Sequence, residues 1–325
     1  MNDSIKADRL PLAALASALT ISAIWGFNFV VIKVGVAGVP PLMLASLRFL
    51  FCVFPAIIWV KKPAASWKSL AAYGLFLGVV EFGFLFTAIK LGAPAGISSL
   101  ILQAQAFFTA LIAGLVLKER IKLQSILGMM ISGAGLVLIA ISQAKTSVAT
   151  QAMSGLSLPL FLMLMAAALG WAAANVVART MPSSSGLSVM VWSSLFSPIP
   201  LAGLSLLVEG PPSIARAITG QSWLSVSALA YLVIMSTLIG YGLWNKLIMR
   251  YGAGRIAPFS LLVPIFGVAS AAIFLGERIT TLDCAAALLI LGGLAVHAFG
   301  INSMKKRPQK VSATGAAVPL SHPKL

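Results

Sequence analysis

Glu81 and Arg48 are the residues whose chemistry fits their surroundings least, since each falls inside a run of about 20 apolar residues, the length of a membrane crossing. A carboxylate at that depth is expensive to ionise, which makes Glu81 a candidate for taking up and releasing a coupling proton. Its other reading is a neutral or Arg48-paired glutamate that ties helices together. Arg48 could receive a substrate carboxylate, or act as a charge clasp on carbonyls or on a carboxylate. Trp25, Asn28, Gln103, Trp171, Asn175, Tyr241 and Trp244 also lie within apolar runs, and they form the candidate substrate-binding set. Amides can bond either end of a zwitterion without adding charge, and Trp or Tyr faces can hold an ammonium. Trp25 and Asn28 are three apart and Trp171 and Asn175 four apart, so each pair shares a helix face. Asn28 could equally staple two helices. Gln103 shares a face with Phe107 while Gln105 points elsewhere, so the spacing predicts one glutamine, not two, at a central cavity.

Other chemistries find little support. The phosphate-binding pattern GxxxxGK[ST] is absent, and the histidines are only His297 and His322, too few for HExxH or a histidine metal site. No Ser-His-Asp set presents itself. The expectation is a protein that is not an enzyme and that uses no cofactor and no metal. Cys52 and Cys284 lie in separate apolar runs and read as small fillers.

The elements that must position these residues follow from composition. The chain of 325 residues is 59% hydrophobic and 9% charged, with a mean hydropathy of +1.00, which is too apolar to cover a soluble globule. Ten spans are predicted, at 13–33, 41–60, 69–89, 95–117, 123–142, 156–178, 187–208, 223–248, 256–275 and 282–303. The first is too long, and too polar at Trp25, Asn28 and Lys33, for a cleaved signal peptide. Glu81 reads as the only acidic residue within a span. Pro198 and Pro200 interrupt the seventh span, freeing backbone groups that a cavity or neighbouring protein must satisfy, and the ninth span begins with Ala257-Pro258 and carries Pro264 inside.

The chain is also duplicated. Residues 91–120 recur in altered form at 249–278, and both copies end in a Glu-Arg pair, Glu119-Arg120 and Glu277-Arg278. The Trp25/Asn28 pair echoes in Trp171/Asn175 at a separation about 12 positions shorter, placing an insertion of that size in the polar stretch 209–222. Five spans per half is an odd number, so the halves must be inverted relative to each other. The fold class is thus an all-α polytopic membrane protein of ten transmembrane helices in two inverted five-helix repeats. The expected layout is an N-terminal segment 1–12, a first repeat 13–142, a linker 143–155, a second repeat 156–303 and a basic, disordered tail 304–325.

The net charge of +16 is a topology signal. Seventeen of the 23 Lys and Arg fall on one side of the predicted spans and five on the other, with Arg48 inside. This places both termini in the cytoplasm. No aromatics interleave the basic tail, so nucleic acid is not an expected partner, whereas the lipid bilayer is. Gly128, Ser132, Gly133 and Gly135, with Gly292 and Gly293, permit close helix packing, either within one chain or in a homodimer.

Several stretches taken together resemble the EamA branch of the drug/metabolite transporter superfamily. They are WGFNFVVIKVG (25–35), PPLMLASLRF (40–49), FPAI (54–57), PAG (94–96), SLILQAQAFFT (99–109), ER (119–120), YG (241–242), APFSLLVP (257–264) and GER (276–278), covering about residues 19–303. The resemblance implies a central cavity between the halves and a bacterial inner-membrane exporter of small zwitterionic metabolites of the cysteine and O-acetylserine class. A broader transporter of amphipathic or dipolar solutes is the alternative, and a non-transporting scaffold a third. Small multidrug-resistance members of the superfamily carry a coupling glutamate in their first helix. Here that helix has none, so coupling through Glu81 rests on depth and chemistry alone.

Overall fold

Apolar runs become helices here because hydrocarbon offers backbone N–H and C=O groups no partner, so each span must satisfy its own. The computed structural model describes residues 10–119, 121, 123–150, 156–182, 185–220 and 222–299, and no strand occurs among them. The expectations for the extreme N-terminus, Arg120 and the basic tail lie outside the described residues.

The helices are α1 (Leu12–Gly38), α2 (Pro41–Ile58), α3 (Trp67–Lys90), α4 (Ala95–Val116), α5 (Leu123–Thr150), α6 (Leu158–Arg179), α7 (Gly186–Phe196 and Pro198–Val208), α8 (Trp223–Tyr251), α9 (Ala253–Ile256 continuing through Ala257–Leu262 to Val263–Leu275) and α10 (Thr281–Phe299). Among the described residues nine are long and apolar enough to cross a membrane, and the two parts of α7, bent by 43° next to Pro198, make a tenth if they form one span. Local sequence sets their starts. Pro41 opens α2, where its missing N–H has no intrahelical role. Ser66 and Ser222 accept hydrogen bonds from Ser69 N and Ser225 N, capping α3 and α8 through the same Ser-Trp-x-Ser opening.

Packing follows the duplication. α1 lies against α8 and α9, α6 against α3 and α4, and α2–α7, α4–α9 and α5–α10 pair across the halves. Exchanging the first five helices for the last five returns the same set, as a two-fold axis in the membrane plane requires. Outward faces carry Leu115, Ile199, Leu207, Ile273 and Leu288, all exposed. With so many apolar helices, the chain is a multi-pass membrane protein.

Three features differ from the sequence expectation. α5 runs on to Thr150, into the stretch read as linker. The insertion near 209–222 forms a short helix, Pro211–Thr219, begun by two prolines. Asp283 is a second acidic residue within a span, in the first turn of α10, where Thr280 N donates to it at 3.0 Å and Gln143 Nε2 at 3.1 Å. Its carboxylate suits the positive end of a helix.

Ser132, Gly128, Gly135 and Gly293 pack α5 against α10 inside the chain, whereas a Cβ on Gly133 or Gly292 would point into open space. Ser132 Oγ donates to Ile290 O at 2.8 Å. A Cβ on Gly293 would lie 2.5 Å from Gly128 O, while one on Gly292 would meet nothing within 4 Å. Gly293→Val is therefore expected to destabilise by about 2 kcal/mol through overpacking, seen as a lower unfolding temperature in detergent, and Gly292→Val to leave that temperature nearly unchanged.

Candidate functional site

A cavity of about 360 Å³ lies where the two halves meet, lined by Trp25, Asn28, Arg48, Glu81, Gln103, Trp171, Asn175, Tyr241 and Trp244. The structure thus brings the whole candidate set to one place, drawn from six helices. The helices around it are irregular. α3 widens into π-helix at Leu75–Phe82 and α8 does so at the matching place, Tyr231–Ile239. α4 tightens to 3₁₀ at Leu102–Ala104 and α9 at Ala257–Leu262. Such interruptions are tolerated at membrane depth where protein or a cavity satisfies the backbone, and they cluster at functional sites.

The two wide turns carry Glu81 and Thr237 in corresponding positions. Thr237 Oγ1 donates to Leu232 O at 2.8 Å, five residues back, and accepts a hydrogen bond from Arg48 Nη2 at 3.2 Å. The Arg48 guanidinium carbon sits 4.1 Å from the centroid of Phe82, a cation–π contact. Arg48 and Glu81 are 2% and 3% exposed. No ion pair within 4.0 Å joins them among the described residues, so the Arg48-paired glutamate is not found. Nor is Arg48 a clasp on carbonyls or a carboxylate. It rests on a hydroxyl and an aromatic face, with Nε and Nη1 unpartnered, and Glu81 Oε2 is unpartnered as well. A basic and an acidic side chain thus line one cavity without pairing with each other. Gly170 of α6 keeps the Glu81 turn in place, since a Cβ there would stand 2.9 Å from Glu81 N and Phe76 O.

On the other wall Trp25 packs between Tyr241 and Trp244, with ring centroids 5.4 Å and 5.1 Å away, and its Nε1 donates to Ser236 O at 2.9 Å. Asn28 makes no side-chain hydrogen bond among the described residues and Oδ1 is buried without a partner, so it does not staple helices. Asn175 Nδ2 donates to Gln105 Oε1 at 2.8 Å, joining α6 to α4.

Gln105 is a correction. Both it and Gln103 line the cavity. The 3₁₀ turn advances the chain about 120° per residue instead of about 100°, so residues two apart stand nearer in direction than on an ideal α-helix. Tyr73, Ser236 and Ser260 also line the cavity and were not anticipated. The signal available for Tyr73 was its place eight residues, about two turns, before Glu81.

Two further cavities flank the first. One of about 240 Å³ continues along α4 past Ala106 and Ala110 to Glu119, Arg179 and His297. Another, of about 690 Å³, lies at the opposite end beside Lys33, Gly96, Glu277 and Asp283.

Inverted five-helix halves around a polar cavity walled by interrupted helices define a membrane transporter. The chain belongs to the EamA-like transporter family, whose sequence profile matches residues 12–141 and 158–299. It is 41% identical over 287 residues to a protein of Salmonella typhimurium (strain LT2) named a probable amino-acid metabolite efflux pump, covering 87% of this chain and 94% of that one. An Escherichia coli (strain K12) protein of the same name is 41% identical over 293 residues, covering 89% and 95%. A solved crystal structure aligns with a TM-score of 0.58 at 19% identity over 90% of this chain and 99% of its own, a likeness of fold.

Removing the hydroxyl that receives Arg48 tests the geometry. Thr237→Val is expected to cost about 2 kcal/mol, the range for a hydrogen bond to a charged group. Thr237→Ser should retain most of that stability in the same thermal unfolding measurement.

Proposed function

We propose that this protein is a secondary transporter of the bacterial inner membrane, with both termini cytoplasmic. It exports small zwitterionic amino-acid metabolites of the cysteine and O-acetylserine class by alternating access, coupled to protons through Glu81. The observation that carries this reading is the buried Arg48 and Glu81 side chains, unpaired with each other in one cavity whose remaining walls are amide, hydroxyl, aromatic and aliphatic. A zwitterion brings its own opposite charges to such a site and leaves neither side chain uncompensated. A lipophilic cation would leave the buried guanidinium without a counter-charge, which is costly at membrane depth. The cavity volume lies at the low end of small-molecule sites, about 300–1,000 Å³, which suits a solute of amino-acid size. The names of the Salmonella and Escherichia relatives support amino-acid metabolites as the substrate class. The charge asymmetry of the loops supports the orientation.

The test is transport of labelled cysteine and O-acetylserine in proteoliposomes, with and without an imposed pH gradient, for the native protein and Glu81→Gln. The native protein is expected to move both solutes in a gradient-dependent way and to leave a lipophilic cation behind. The variant should lose the gradient dependence. Equal gradient-driven movement by both proteins would make Glu81 structural. Movement of the cation without either amino acid would favour the broad drug transporter, and movement of none of them a scaffold.

A further inference from the structure

The two copies of the repeated stretch use their terminal glutamates differently. Glu277, just beyond α9, sends its carboxylate across the interface between the halves to the start of α4, where Ala95 N donates to Oε1 at 2.6 Å and Gly96 N to Oε2 at 2.9 Å. This satisfies two of the N–H groups that a helix start leaves free and places a negative charge at its positive end. At the same end the first segment of α4 packs on the last segment of α9, with a Cβ on Gly96 only 3.2 Å from Val268 Cα. At that end the two halves are tied by a carboxylate from the opposite half.

Inversion supplies the counterpart. The repeat that aligns Glu277 with Glu119 also aligns Ala95-Gly96 with Ala253-Gly254, the same two residues, and α9 begins at Ala253 as α4 begins at Ala95. Yet Glu119 does not cap α9. It forms an ion pair with Arg179 at 3.0 Å, both side chains about half exposed. The segments that would meet there, Gln105–Val116 of α4 and Ala253–Leu262 of α9, make no close packing comparable to that at the Glu277 end.

We infer that Glu277 and Glu119 are alternating latches of one gate formed by α4 and α9. With the Glu277 latch made, the protein is closed at that end, and Glu119 is parked on Arg179. In the opposite conformation Glu277 leaves Ala95 and Gly96, and Glu119 leaves Arg179 to take the amides of Ala253 and Gly254. Because each latch is a charge-assisted contact to paired N–H groups, its removal shifts the balance between the conformations without touching the substrate cavity. This rests on the alternating-access reading above, but not on the identity of the substrate.

The experiment measures distances without substrate, by spin labels in the full chain with Cys52 and Cys284 replaced by alanine. One pair, at the exposed positions Leu91 and Ile273, reports the Glu277 end, and another, at Val116 and Met249, reports the Glu119 end. Glu277→Gln is expected to raise the population closed at the Glu119 end about tenfold relative to the native ratio. Arg179→Gln, a half-exposed change that releases Glu119, should shift the ratio in the same direction. Glu119→Gln added to either should reverse the shift, and Glu277→Asp should fall between native and Glu277→Gln. Two populations whose ratio none of these changes moves would overturn the latches. One invariant distance at each end in every variant would overturn alternating access as well.

Discussion

Hydrocarbon makes no hydrogen bonds, and most of this structure follows from that. Each span closes its own backbone ladder, and wherever a ladder is interrupted another part of the chain takes over. The wide turn of α8 is a case in point, since the Thr237 hydroxyl returns to Leu232 O and also receives Arg48. The helix starts of α2 and α4 take carboxylates from the other half, Glu209 to Leu42 and Met43 and Glu277 to Ala95 and Gly96. The π and 3₁₀ turns of α3, α4, α8 and α9 lie around the cavity, where protein satisfies the backbone that hydrocarbon would leave unpaired.

Much of this was legible from sequence, for a physical reason. A membrane simplifies the code, since a crossing must be long and apolar, and a polar residue that survives inside one must face inward. Trp25, Asn28, Arg48, Glu81, Gln103, Trp171, Asn175, Tyr241 and Trp244 could therefore be selected by type and depth, without knowledge of their neighbours. Depth could not tell what each side chain touches. Arg48 resting on Thr237 and Phe82, instead of on Glu81, is a tertiary outcome.

The misses share one cause. An ideal α-helical period turns Gln105 away from Gln103, and the 3₁₀ turn at Leu102–Ala104 departs from that period. Asp283 escapes the rule that carboxylates avoid spans because a helix end, with Thr280 and Gln143 beside it, satisfies a carboxylate that mid-span hydrocarbon would not. The extension of α5 to Thr150 crosses a stretch polar enough to read as a linker. Sequence reading succeeded where the solvent dictates the answer and failed where local backbone geometry does.

The Glu209 contact with α2 introduces an inequality that the duplication alone would not. It arises beside the inserted helix Pro211–Thr219, and the first repeat has no equivalent insertion. A perfectly two-fold chain would spend equal time facing each side of the membrane. In a chain that alternates between two faces, a tie that favours one of them weights the resting ensemble toward it, and a solute arriving at the rarer face meets fewer receptive molecules, so its apparent affinity falls by the receptive fraction. Under the alternating access proposed above, such a tie would make the protein a rectifier in the kinetic sense, with unequal half-saturation on its two sides even before any ion gradient acts on it.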